Sequence, residues 1–327
     1  VNDTGLDILL LSGGGILLYF GAEWLVAGAA GLARSLGVSA LIIGLTVVAY
    51  GTSTPEVIVG MQAAIGGHPE IALGNVLGSN IANLGLILGL AAILRPTRID
   101  GGLLRRELPL LVVCALAVPL LLLDDHVQWW EGAGLMTVAA VYTAWMVRSS
   151  RKSIGEAVAA AAVTADAADA AGAPMPRGGR ARLVAIAAVG LAVLVVGGQL
   201  LVEGAVGVAR AIGMSERVVG LTIVAVGTSL PELVTSIIAT RRGHTDIAVG
   251  NVVGSNIFNV LLCLGGASVV GHVGSPLSSV ALDVGAMVGF TVMGAVMMRS
   301  GRTVTRLEGV ILVLSYAAFL ALLVGLG

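Results

Sequence analysis

Charge is the scarcest ingredient of this chain. Of its 327 residues 11% are charged, against 57% hydrophobic, and the mean hydropathy is +1.00. Soluble domains carry about 25% charged residues, so this chain cannot solvate a globular surface of its own. That excludes a disordered protein and almost any soluble enzyme. Cysteine is nearly absent. Cys114 and Cys263 are the only two, both inside apolar runs, which excludes a secreted disulfide scaffold and marks them as packing residues. The formal net charge of −1 gives no reason to expect a nucleic-acid partner. What is abundant is glycine, at 47 residues, which in a bilayer means closely packed helices. The expected class is an all-α polytopic membrane protein. At about 20 apolar residues per span, the length allows roughly ten helices with short loops.

Apolar runs between charged or turn-like breaks place ten spans near 5–33, 39–65, 70–94, 103–123, 128–148, 182–211, 215–240, 246–270, 278–298 and 305–326. The first is too long for a cleaved signal peptide and follows Asp3 and Asp7 rather than basic residues. The basic residues test the count. Of the 18 Lys and Arg, all but Arg210 and Arg217 fall in odd-numbered loops. By the positive-inside rule those loops are cytoplasmic and both termini face out. Trp129 and Trp130 then mark the outer interface of the fifth span and Trp145 the inner one. The one long loop, 150–181, is Ala-rich with Pro174 and Pro176. It reads as a cytoplasmic linker, in part helical and too short for a folded regulatory domain. The expected organisation is a five-helix unit over 1–149, this linker, and a second five-helix unit over 182–327.

The two units repeat each other. Residues 44–60 read GLTVVAYGTSTPEVIVG and 220–236 read GLTIVAVGTSLPELVTS; 74–89 read GNVLGSNIANLGLILG and 250–265 read GNVVGSNIFNVLLCLG. The offset is 176 residues throughout, without a gap. Five spans per unit is an odd number, so the second enters the membrane upside down. Inverted-topology repeats are the plan of many secondary transporters, with the substrate site near the midplane at the repeat interface.

The repeated motifs carry oxygen chemistry. Pro55 and Pro231 lie inside spans and remove the helical donor for the carbonyls of Gly51 and Gly227. Freed carbonyls at membrane depth are tolerable only where they line a cavity or bind something. Thr52 and Glu56 are four residues apart and share a helix face, as do Thr228 and Glu232. Asn75, Ser79 and Asn83 form a polar stripe at fourfold spacing, repeated by Asn251, Ser255 and Asn259. No His or Cys takes part. Hard cations such as Ca²⁺ want oxygens only, whereas transition metals call for imidazole or thiolate. Two carboxylates balance one Ca²⁺ or two monovalent cations. A lone Ser or Asn here can be a kink or an interhelical hydrogen bond. A charge costs about 2.5–3.5 kcal/mol or more at mid-membrane, and two symmetric glutamates ask for a cation.

These residues resemble a known family. GTSTPE with GNVLGSNIAN, and GTSLPE with GNVVGSNIFN, look like the paired repeats of the cation/calcium exchanger superfamily, most closely the prokaryotic sodium/calcium exchangers. The resemblance covers the membrane core of essentially the whole chain. It implies that Glu56 and Glu232 are shared carboxylate ligands for Ca²⁺ and Na⁺, and that Thr52 and Thr228 add backbone carbonyls to the Ca²⁺ site. It implies that Ala49, Ala225, Ser53, Ser229, Ser79 and Ser255 complete flanking Na⁺ sites. It also implies exchange of three Na⁺ for one Ca²⁺, with the first and sixth spans sliding across the rest. Asn83 and Asn259 close the ligand set as amides. Relatives often carry Asp at one of these positions, and in the potassium-dependent branch the second-repeat Asp accompanies K⁺ co-transport. Asn259 therefore argues against K⁺ dependence. The expected activity is Na⁺/Ca²⁺ antiport in a prokaryotic plasma membrane by a monomer, with no cofactor beyond the transported ions. The rivals are a proton/calcium antiporter and a cation channel. An intramembrane enzyme is disfavoured, because no HExxH and no suitable Ser–His or Asp pair occurs.

Other charged groups are expected to be structural. Glu23 and Glu203 sit within the first and sixth spans but are not symmetry mates, since Glu23 aligns with Gln199. Ion pairing or a watery crevice is the expectation for both. Glu107 and Asp283 are mates placed near helix N-termini, and His68 and His244 are mates in the turns before the third and eighth spans.

Overall fold

Backbone polar groups cannot be left bare in hydrocarbon, so a chain this apolar pairs them within helices. The computed structural model describes residues 4–163, 177–212 and 227–326. Twelve helices follow one another: α1 (Thr4–Leu36), α2 (Ala40–Thr52), α3 (Thr54–Ile65), α4 (Pro69–Leu94), α5 (Gly101–Arg105), α6 (Glu107–Leu121), α7 (Trp129–Val163), α8 (Arg177–Ala211), α9 (Leu230–Arg241), α10 (Thr245–Val270), α11 (Leu277–Arg299) and α12 (Arg306–Leu326). Among the described residues six helices are long and apolar enough to cross a bilayer alone, namely α1, α4, α8, α10, α11 and α12. The pair α2 and α3, bent by 41° at Ser53, makes a seventh. The fourth expected span is the shorter apolar helix α6, and the seventh is described only from Gly227 onward.

The expected part-helical linker is helical at both of its described ends, which extend beyond the expected spans. Helix α7 runs on through Val163, and α8 begins at Arg177 rather than 182. Alanine is the best helix former, and the run Ala159–Ala162 extends the helix past the last apolar span residue. Residues 164–176 of the expected linker lie outside the described ones.

The prolines act differently from a mid-helix kink. Pro55 and Pro231 each sit in the first turn of a new helix, α3 and α9. There a missing N–H costs nothing, because the first-turn donors have no helical acceptor anyway. The break at Ser53 thus becomes a helix end followed by a helix start, at membrane depth.

Helices α1 and α8 form the most extensive helix pair, and glycine explains it. Gly14, Gly21 and Gly28 recur every seven residues on α1, and Gly190, Gly197 and Gly204 do so on α8, at the same 176-residue offset. A Cβ added at Gly21 would strike the backbone of Leu194, at Gly14 that of Leu201, and at Gly28 that of Ala187. Residue numbers fall on α8 as they rise on α1, so the two helices run antiparallel, backbone against backbone.

Two short ribbons bind the halves. Strand β1 (Thr97–Arg98) pairs with β4 (Thr303–Val304), and β2 (His126–Val127) pairs with β3 (Val273–Gly274), both antiparallel. Shifting by 176 residues carries β1 onto β3 and β2 onto residues 302–303, so each ribbon is the symmetry image of the other. Helix α10 lies deepest, with 94% of its apolar window buried, whereas α12 has 17%. One apolar core gathers around α4, α6, α10 and α11, and a second joins α1 to α2, α8 and α9. His68 and His244 stand at the N-caps of α4 and α10. Burial, then the guanidiniums of Arg34 and Arg242, hold the His244 imidazole below its ordinary pKa. At the N-terminal turn of α6, Glu107 is buried with one oxygen unpartnered.

Candidate cation site

The bend between α2 and α3 brings one side of the site to the centre, and the start of α9 brings the other. Glu56 and Glu232, in the first turns of α3 and α9, are each 1% exposed. Each is met by the serine of the opposite repeat. Ser53 Oγ donates to Glu232 Oε1 at 2.9 Å, and Ser229 Oγ lies 3.5 Å from Glu56 Oε1. The Ser229 hydroxyl also lies 3.2 Å from Ser79 Oγ on α4. Ser53, Glu56, Ser79, Ser229 and Glu232 are therefore a single cluster drawn from both repeats.

Several buried oxygens of the same motifs make no hydrogen bond among the described residues. Glu56 Oε2, Glu232 Oε2, Asn83 Oδ1, Asn259 Oδ1 and Ser255 Oγ are all buried without a hydrogen bond. Asn83 and Asn259 each open a stretch of wider π-helix, over Asn83–Ile87 and Asn259–Leu264. Such bulges are frequent at functional sites. A buried polar atom without a partner costs about 1–3 kcal/mol, more if charged. Five such oxygens lie on the repeated motifs, two of them on carboxylates, and oxygen is the donor type that a hard cation takes.

Other expected residues differ in their surroundings. Ala49 is fully buried, with its methyl against Gly254 of α10. The Thr52 hydroxyl is also buried, lying 3.1 Å from the Val48 carbonyl and 3.0 Å from Asn251 Oδ1. Its mate Thr228 is half-buried, in the turn before α9. It lines a cavity of about 410 Å³ together with Pro55, Pro231, Gln199 and Glu203. Ala225 lies outside the described residues.

Glu23 and Glu203 fill the two roles expected of them. Glu23 makes an ion pair with Arg242 at the end of α9, and Glu203 lines the cavity. Asn75 and Asn251, part of the polar stripes, serve the backbone. Asn75 Nδ2 donates to the Glu56 carbonyl at 2.9 Å, and Asn251 Nδ2 to the Glu232 carbonyl at 3.3 Å. They hold each glutamate's main chain in place. Cys263 does the same, donating to the Glu56 carbonyl at 3.1 Å.

Comparison with known proteins then decides the family. The family model described as sodium/calcium exchanger protein matches residues 6–148 and 182–325. The chain belongs to the sodium/calcium exchanger family. Within this family it is 31% identical to the sodium/calcium exchanger MaX1 of Methanosarcina acetivorans over 343 aligned residues, covering 97% of this chain and 98% of that protein. It is 40% identical to the inner membrane protein YrbG of Escherichia coli over 258 residues, covering 78% of this chain and 77% of the relative. The solved structure of the sodium-calcium exchanger NCX_Mj superposes with a TM-score of 0.82 at 29% identity, covering 97% of this chain and 99% of that one. This exchanger-family chain is thus an all-helical integral membrane protein.

Sequence reasoning missed two features of the site region. The glycines of α1 and α8 were legible as a sevenfold spacing kept at the 176-residue offset. Asn80, which touches Asn259 from the other repeat, was legible only as an asparagine kept at Asn256 by the 176-residue offset, one residue off the polar stripe.

Proposed function

We propose that the chain is a ten-helix antiporter, built from two inverted five-helix repeats, that exchanges Na⁺ for Ca²⁺ by alternating access. The observation that carries this reading is the pair of buried glutamates. Each has one oxygen held by the opposite repeat and one left unpartnered. In this reading Glu56 and Glu232, with the Thr52 and Thr228 carbonyls, take Ca²⁺. Ser53, Ser229, Ser79, Ser255, Ala49 and Ala225 complete the flanking Na⁺ positions, and Asn83 and Asn259 supply amide oxygens. Three Na⁺ replace one Ca²⁺, and K⁺ is not needed because position 259 is an amide.

The charge balance explains why transport is an exchange. Two bare carboxylates in a low-dielectric centre are costly, so the empty site resists crossing. Ca²⁺ neutralises it, and so do two of the three Na⁺ ions, so that the third leaves the Na⁺-loaded site with one net positive charge. Both ions use the same oxygens, so one must leave before the other binds. Movement is assigned to α1 and α8, whose backbone-to-backbone contact lets them travel as one body across the rest. The cavity beside α8 and the packed side beside α1 suit a state open on one face only. The protein is placed in the prokaryotic plasma membrane as a monomer, with both termini outside and 150–181 in the cytoplasm.

The test is Ca²⁺ uptake into proteoliposomes at constant pH, driven by an outward Na⁺ gradient, with and without K⁺. Na⁺-driven uptake that ignores K⁺ is expected. Uptake driven by a pH gradient alone, with Na⁺ inert, would make the protein a proton/calcium antiporter. Flux with no counter-ion requirement would make it a channel.

A further inference from the structure

An amide is an ambiguous ligand. Its oxygen attracts a cation and its NH₂ group repels one, so something must decide which end faces the ion. A carboxylate needs no such decision. The family site here ends in amides in both repeats, at Asn83 and Asn259, and the structure treats them differently.

Asn259 is anchored from across the repeat boundary. Its Nδ2 donates to Asn80 Oδ1 at 3.3 Å, and both residues are buried. Asn80 is oriented in turn, because its own Nδ2 faces Met287 Sδ on α11 at 3.6 Å. Sulfur is a weak acceptor, so this contact turns the nitrogen of Asn80 to α11 and its oxygen to Asn259. With its nitrogen held there, Asn259 has its Oδ1 directed away, buried and unpartnered.

The symmetry-related bond would run from Asn83 to Asn256, and it is not made. Asn256 Nδ2 is spent on the Val252 carbonyl at 2.7 Å, and its Oδ1 has no partner. The lock therefore exists on the second-repeat amide alone.

We propose that Asn80 is a positioning residue that fixes the Asn259 amide with its oxygen toward the transported ions. The inference rests on reading Asn259 as an ion ligand. Removing residues that orient a metal ligand typically weakens binding about 10–100-fold.

The experiment measures Ca²⁺ affinity of the purified, detergent-solubilised protein by titration calorimetry, and half-saturating Ca²⁺ in proteoliposomes. Asn80→Leu removes the acceptor at similar size. It is expected to weaken Ca²⁺ binding about tenfold. Asn80→Asp keeps an acceptor in place and is expected to keep wild-type affinity or better. In an Asn259→Asp background the ligand has no wrong end, so adding Asn80→Leu should cost less than about twofold, a coupling that a double-mutant cycle reads directly.

The inference is overturned if Asn80→Leu is neutral. It is also overturned if the loss is equal in both backgrounds, or if Asn80→Asp is as weak as Asn80→Leu. Failure of the underlying site reading looks different, because Asn259→Leu would then itself leave Ca²⁺ and Na⁺ affinities unchanged.

Discussion

The two repeats share their central motifs almost letter for letter, yet those motifs stand in different surroundings. In the first, Thr52 is sealed, its hydroxyl bonded to α10. Helix α1 packs closely on α9 and is tied there by Glu23 and Arg242. In the second, Thr228 lines an open cavity, and the flanking α8 contributes Glu203 and Gln199 to its wall. The residue matching Arg242 in the first repeat is Gly66, so the open side has no equivalent cation to close it. A transporter that opens to one side at a time must be asymmetric at any instant. Here the asymmetry is seated in residues that the duplication did not keep alike.

The largest effect should come from the pair that breaks this comparison at its centre. Glu56→Gln or Glu232→Gln is expected to abolish Na⁺-driven Ca²⁺ uptake while the purified protein stays monodisperse and helical. Near-normal exchange in either variant would sink the ligand assignment.

Next comes the helix pair that the two repeats share. Gly21→Leu places a side chain on the backbone of Leu194 and should reduce transport at least tenfold. Gly13→Leu is the control, since a Cβ there meets nothing within 4 Å among the described residues. Equal losses at both positions would show that close backbone approach is not what matters.

A labelling experiment reads the comparison itself. Cys114 and Cys263 are buried, so a membrane-impermeant thiol reagent has little background. Thr228→Cys should react readily and Thr52→Cys should not, and equal reactivity would erase the distinction between the repeats.

The smallest effect belongs to the ion pair. Side-chain exposures of 15% for Glu23 and 50% for Arg242 make it a partly solvated bridge, worth at most about 1 kcal/mol. Glu23→Gln should raise labelling of Thr52→Cys by up to about fivefold, and an unchanged rate would remove the pair from any part in closing that side.

These contrasts also show where the sequence was informative. The 176-residue offset, the glutamates and serines of both motifs and the proline-directed break were all legible, because they are what the two halves have in common. The asymmetric features were not. Phe258 stacks on Tyr50 where the mate of Phe258 is Ala82, and Ser236 accepts from Asn251 where its mate is Gly60. Such differences look like ordinary drift until a partner from the other half is seen against them. Asn75 and Asn251 were visible as a stripe, but helical spacing could not say that they would turn to a carbonyl rather than to an ion. The end of α7 and the start of α8 were legible only as a part-helical linker, because an alanine-rich segment is helical without being apolar enough to count as a span.

The ribbons carry one more consequence. Each joins a strand of the first half to a strand of the second, so among the described residues no ribbon is internal to a half. The peptide link between Val163 and Arg177 is then not the sole tie between the halves. The protein is in effect a clasped heterodimer written on one polypeptide. Two separately translated fragments would carry the same edges to pair.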